Sequence, residues 1–303
     1  MSRACSATAL SGRRPDAAVR IENRPPAEGI NSSTDNPLKE LAWLLGGSLA
    51  AVIALVFAVS LAAQWIAPRT PYKYEARLAA SLPPIATAPD TDQGRAVQRE
   101  LQALADRLAA RMQLPAGMQV RVGYSDSKTV NAFATLGGQT VFFRGLLARL
   151  GSEDELAMVM AHEMAHLQHR HASAALGRGV AVGVVLSVVS AELGRGAAAG
   201  VLSQAGLATT LSFTRDQERA ADEAALAVLA REYGHLGGAT DLFRTMANLP
   251  GADSAAPQVE LLRTHPLTRT RLLAIEEWAR RNDVPLDGAR RPLPSTIAAL
   301  QGT

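Results

Sequence analysis

The sequence predicts an α+β fold, predominantly helical, with a small antiparallel sheet and one transmembrane helix ahead of the folded domain. Ala, Leu and Val dominate an apolar fraction of 48%, while aromatic residues make up only 4% of the 303 residues. That balance favours helix over sheet. An uncharged run from Leu41 to Ile66 has the length and composition of a membrane span. Three short runs rich in Val, Phe, Tyr and Thr supply the material for the sheet.

Taken in order, residues 1–36 are rich in Arg, Pro, Ser, Asn and Ala with no apolar period and read as a disordered tail. Residues 41–66 follow as the transmembrane helix. From Trp43 to Trp65 a helix covers about 34 Å, enough for a bilayer core, with a Trp where each interface falls. The competing reading is a cleaved signal peptide ending near Ser60-Leu61-Ala62, but the apolar run is too long and begins too late for one. Six Arg and Lys residues precede the span, and Arg69, Lys73 and Arg77 follow it closely. The positive-inside rule then slightly favours a cytoplasmic tail and an external, periplasmic catalytic domain.

Pro68, Pro71, Pro83, Pro84 and Pro89 make residues 67–92 a stalk, expected to be extended. The folded domain is expected over 93–282. Its first helix, Gln93 to Met112, carries Val97, Leu101, Leu104 and Leu108 on one face. Strands are expected over Met118 to Gly123, Lys128 to Thr135 and Gln139 to Arg144, with Gly137-Gly138 as a hairpin turn.

Ser152 and Glu155 form a capping box that opens a helix running to His171, with Gly177 and Gly179 as the stop. It carries Ala161-His162-Glu163-Met164-Ala165-His166. Residues four apart share a helix face, so His162 and His166 can direct two imidazoles at one metal ion. Glu163 stands beside them to take a proton from metal-bound water, the zinc metalloprotease arrangement. In so apolar a helix these groups would cost several kcal/mol if left unpaired.

Residues 172–212 are apolar and Gly-rich. Between Arg178 and Glu192 only 13 uncharged residues fit, about 20 Å of helix against the roughly 30 Å of a bilayer core, so a soluble helical hairpin is expected rather than a second membrane hairpin. Thr214 and Gln217 cap the next helix, where Glu218 and Asp222 lie four apart. They suit a carboxylate metal ligand and a carboxylate that holds a ligand imidazole by its other N–H, or else a solvated charged face. Pro266 biases His265 to an extended or turn conformation before a helix from Thr268 to Arg280. Residues 283–303 read as a C-terminal tail.

Four pieces in this order resemble the M48 metallopeptidases, gluzincins that include Oma1-like and HtpX-like membrane proteases. They are Asn131-Ala132-Phe133-Ala134, then His162 to His166 with Arg170-His171, then Glu218 to Asp222, then His265-Pro266 with Arg271-Leu272. The resemblance covers roughly residues 95 to 280 and implies a zincin-like metalloprotease domain with one Zn2+. It implies His162, His166 and Glu218 as zinc ligands, Glu163 as general base and Asp222 as the support of a ligand ring. Residues Asn131, Ala132, Phe133 and Ala134 would then be the strand that receives substrate backbone, with His265 close to the zinc. There His265 would serve as an oxyanion donor or as a plug in the open metal position, unless it is only a structural residue at the rim. The metzincin pattern is excluded, because it requires Gly where His169 stands and His where Ala172 stands. His169 as third ligand is disfavoured, since three ligands from one straight helix cannot surround an ion.

The expected function is zinc-dependent endopeptidase action on unfolded or misassembled membrane or envelope proteins, with the bilayer as the second partner. The alternative is a zinc-stabilised scaffold that holds chains without cutting them. The absence of many spans, and of a helical repeat after residue 280, argues against prenyl-protein processing. Net charge is only +3, with Arg scattered rather than clustered, which argues against a nucleic-acid partner. Cys5 lies alone in the polar tail, so it can neither form an internal disulfide nor join the zinc site.

Overall fold

The computed structural model describes residues 37–66, 69–82, 89–177, 179, 213–249, 260–266 and 269–302. The N-terminal 36 residues and nearly all of the expected 172–212 hairpin lie outside the described residues. The chain divides into two units, residues 1–49 and 50–303, with the break inside the first helix. That helix, α1 (Pro37–Ile66), includes Leu38–Ala62, 25 residues of mean hydropathy 2.4, long and apolar enough to cross a membrane. Its large side chains, among them Trp43, Leu44, Ile53 and Phe57, are exposed.

Within the Pro-rich stretch, residues 72–81 are helical rather than part of the extended stalk that the composition suggests. Pro71 stands at the N-cap of a ten-residue helix, α2 (Tyr72–Ser81), which packs on the turn at Leu136–Gly138 and buries Glu75 and Ala79. Pro suits a helix entrance, where no intrahelical N–H is required of it. Helix α3 (Asp92–Ala109) follows, with the Thr91 hydroxyl accepting from Gly94 N, and buries Val97, Leu101, Leu104, Ala105 and Leu108 as expected.

The sheet has three strands, β1 (Arg121–Ser125), β2 (Ala132–Ala134) and β3 (Gln139–Phe143), in the order β1-β3-β2. It is mixed rather than wholly antiparallel: β2 and β3 form the expected antiparallel hairpin, but β1 pairs with β3 in parallel. Gly137 and Gly138 turn the hairpin with φ of 73° and 75°, a region that L side chains rarely adopt. The free edge of β1 is covered by α3. The side chain of Gln102 donates to Val120 O and accepts from Val122 N, and Gln98 donates to Val122 O. With that edge satisfied by side-chain amides, β2 is the sheet's other edge.

After the short helix α4 (Arg144–Leu147), helix α5 (Glu153–Gln168) runs through the core, with every residue from Asp154 to Leu167 buried. Its N-cap is half of the expected capping box. Ser152 Oγ accepts from Glu155 N, but the Glu155 carboxylate reaches Gly151 N and the Thr245 hydroxyl instead of Ser152. Helix α6 (Arg215–Tyr233) lies along α5 and has the full reciprocal box of Thr214 and Gln217. Helix α7 (Gly237–Ala247) approaches α5 so closely that a Cβ on Gly238 would lie 2.1 Å from Asp154 O. The short α8 (Glu260–Thr264) and α9 (Arg269–Asn282) complete the helical side.

Residues 283–302 are not a tail. Glu153 N donates to Arg291 O, Arg291 N donates to Asp154 Oδ2, and α10 (Ser295–Ala298) delivers fully buried Ile297 to the core, with Leu300 beside it. Two isolated apolar residues gave no period from which this docking could be read.

Candidate metal centre

Helix α5 brings His162 and His166 onto one face, and α6 places Glu218 opposite them. The segment between α8 and α9 adds His265. One donor atom from each of these four buried residues lies within 4.8 Å of all the others. His162 Nε2 is 3.1 Å from His166 Nε2 and 3.2 Å from His265 Nδ1. Glu218 Oε2 is 3.5 Å from His162 Nε2, and Glu218 Oε1 is 3.5 Å from His166 Nε2 and 2.9 Å from His265 Nδ1. Nitrogen donors on a tetrahedral zinc, each about 2.0–2.1 Å from the ion, stand about 3.3 Å apart. The donor set therefore has the dimensions of a zinc shell.

The polar groups here do not satisfy one another. Both carboxylate oxygens of Glu163 are buried without a hydrogen-bond partner, as is His265 Nε2. The Ala134 amide of β2 faces Glu163 without closing an aligned bond. Such orphaned groups carry a cost unless a ligand meets them. Two imidazole nitrogens and a carboxylate that converge within 3.5 Å of one another fit a divalent cation.

Charge is arranged around the ligands. Burial opposes a charged His162, but Asp222 and Glu218 outweigh it and push its pKa up to about 10. The same surplus of negative charge suits a metal ion. His166 is held well below the usual imidazole range by burial and by the rings of His162 and His265. Burial works against ionised Glu218, yet His162 and His265 hold it far below the carboxylate range. Glu163 is shifted the other way, upward, chiefly by burial. A basic carboxylate and an acidic one thus stand side by side.

Asp222 Oδ1 approaches His162 Nδ1 at 3.0 Å, off the line of a well-formed hydrogen bond, on the side of the ring away from the cluster. Its other partner was not foreseen. Arg271 of α9 grips Asp222 with two bonds of 2.7 Å and reaches Glu218 Oε2 at 3.2 Å. Phe213 stacks on His166 with ring centroids 3.9 Å apart. Arg271 and His171 stand in the recognised motif pieces, whereas nothing near Phe213 marks it.

His265 is not at the rim: its ring is buried within the cluster, and its Nε2 lies 3.5 Å from Glu163 Oε1. His169 stays out of the cluster, at the C-cap of α5, and stacks on His171 instead. Residues Asn131 to Ala134 are buried, and β2 lies against α5.

Comparison with known proteins agrees with the geometry. The mitochondrial metalloendopeptidase OMA1 of Schizosaccharomyces pombe is 34% identical over 152 residues, 50% of this chain and 44% of that protein. The beta-barrel assembly-enhancing proteases of Yersinia pestis and Escherichia coli K12 are 31% and 30% identical over 155 residues, 47% of this chain and 31% of each relative. The chain thus spans less than half the length of these relatives. The model of peptidase family M48 matches residues 95–279, which include every residue of the cluster. With more than half of its length under that model, the chain belongs to peptidase family M48.

Proposed function

We propose that the chain is a membrane-anchored, zinc-dependent endopeptidase that hydrolyses peptide bonds in membrane or envelope protein quality control. The observation that carries this reading is the unpaired, buried Glu163 carboxylate beside four converging donor atoms. His162, His166 and Glu218 would hold the zinc. When bound there, zinc lowers the pKa of water toward about 7 and polarises the carbonyl of the scissile bond. Glu163 takes the proton from the attacking water and returns it to the leaving amine.

Arg271 fixes Asp222, and Asp222 orients the His162 ring, so the ligand is held through its far nitrogen. The edge strand β2, residues Asn131 to Ala134, would take substrate as an added strand, with main-chain hydrogen bonds that accept many sequences. Such tolerance suits unfolded or misassembled chains. The relatives' names, a mitochondrial metalloendopeptidase and proteases that enhance beta-barrel assembly, support that class of task. Helix α1 would keep the domain at the bilayer, on its outer, periplasmic side.

The test is cleavage of unfolded casein by the detergent-solubilised protein with and without a zinc chelator. Cleavage is expected to stop with chelator and return with added zinc. Cleavage that the chelator does not touch, or none from protein carrying a full complement of zinc, would sink the proposal.

A further inference from the structure

A second buried charge cluster stands one helix turn beyond the ligands. Glu75 of α2 and Arg170 are both buried and separated by 95 residues in sequence. Arg170 Nε donates to Glu75 Oε2, and Arg170 Nη1 donates to Thr70 O at 2.9 Å. Ser173 Oγ donates to the same Glu75 oxygen, while Glu75 Oε1 accepts from Gly137 N at 2.9 Å.

The backbone explains why this matters to the metal centre. Helix α5 ends at Gln168, Arg170 takes a φ of 58°, and the chain is helical again over 171–177. A left-handed conformation is unfavourable for a non-glycine residue and persists only where the surroundings impose it. Here the guanidinium, held by Glu75 and by Thr70 O, imposes it. The bend sets the next residue, His171, with its Nδ1 2.9 Å from His166 Nδ1. His166 turns its Nε2 toward His162 and Glu218, so with a metal on Nε2 its Nδ1 would carry the proton and donate to His171 Nδ1. The other oxygen of Glu75 holds the turn between β2 and β3, and β2 faces Glu163 through Ala134.

We infer that Glu75, in the helix that follows the apolar span, is a positioning residue for the metal centre. Through Arg170 it seats His171 against His166, and through Gly137 it seats the edge strand. The inference rests on the metal reading proposed above, and it extends the working part of the molecule from the domain proper to α2.

The test uses full-length protein in detergent and reads zinc affinity by competition with a chromophoric chelator. Glu75→Gln keeps an acceptor for Gly137 N but removes the charge that Arg170 needs. It is expected to raise the zinc Kd about 10–100-fold in a protein that keeps its helical circular dichroism. Ile297→Ala, a cavity in a distant part of the core, lowers the melting temperature and should leave zinc Kd unchanged. Should Glu75→Gln fail to fold, Glu75→Asp, which keeps the charge but withdraws it by a methylene, is measured by the same criterion. The inference is overturned if the folded Glu75 variant binds zinc within about twofold of the parent, a ratio well under the loss expected of a ligand's support. It is equally overturned if Ile297→Ala weakens zinc as much. A parent protein that binds no zinc would overturn the functional reading itself, a separable result.

Discussion

Two buried polar clusters among the described residues lie within ten residues of one another along the sequence, around His162 to His166 and around Arg170, and they differ in how far they are closed. In the Glu75 cluster each carboxylate oxygen has a donor, and the guanidinium has a carboxylate and a carbonyl. In the His162 cluster three imidazoles turn nitrogens toward one another, and the Glu163 carboxylate closes no aligned hydrogen bond. Both are buried, so burial does not distinguish a structural group from a functional one. What distinguishes them is whether the donors and acceptors balance within the protein.

The largest effect should come from the open cluster. Glu163→Gln keeps the shape of the side chain but cannot accept a proton, so casein cleavage is expected to fall about 10²–10⁴-fold while zinc content matches the parent. A variant that cuts at the parental rate would mean that the unpaired carboxylate is not the base, and the contrast would lose its functional half.

His265 tests how open the open cluster is. Its Nδ1 lies where a fourth donor would, 3.2 Å from His162 Nε2 and 2.9 Å from Glu218 Oε1. His265→Ala is therefore expected to raise turnover at matched zinc occupancy, by vacating the position that substrate and water need. A fall of about a hundredfold in kcat would instead make the ring an oxyanion donor. A rate within about twofold of the parent would remove it from the chemistry altogether.

The smallest effect belongs to the closed cluster. Ser173→Ala deletes one of two donors to Glu75 Oε2, and Arg170 remains. Stability is expected to fall by about 0.5–1.5 kcal/mol in chemical denaturation, with zinc Kd unaltered. A loss of zinc affinity here would show that even the outermost contact of the closed cluster reaches the metal.

The open cluster was far more legible in sequence than the closed one, for a physical reason. Helical spacing is local, so His162, Glu163 and His166, then Glu218 and Asp222, announced themselves by intervals of one and four residues. The caps Ser152 and Thr214 and the turn at Gly137-Gly138 were legible on the same ground. Glu75 and Arg170 are 95 residues apart, and no interval connects them. Arg271 was visible as part of a motif, but its grip on Asp222 spans 49 residues and depends on how α9 packs on α6. The parallel pairing of β1 with β3 was hidden likewise, since strand direction follows from the path of the whole chain. Helix α2 was hidden because the prolines that flank it suggest an extended stretch, whereas Pro71 only marks the entrance.

The staple between α5 and the C-terminal segment bears on the order in which the molecule can be completed. The first turn of the helix that carries His162 and His166 takes a bond from Glu153 N to Arg291 O and another from Arg291 N to Asp154 Oδ2, the latter across 137 residues. At synthesis speeds of about 5–20 residues per second, that interval is on the order of ten seconds. During it the helix exists without the strand of chain that fastens its base, and the core exists without Ile297. The helix is thus made in mid-chain, but the first turn of it takes these two bonds only from residues that leave the ribosome later.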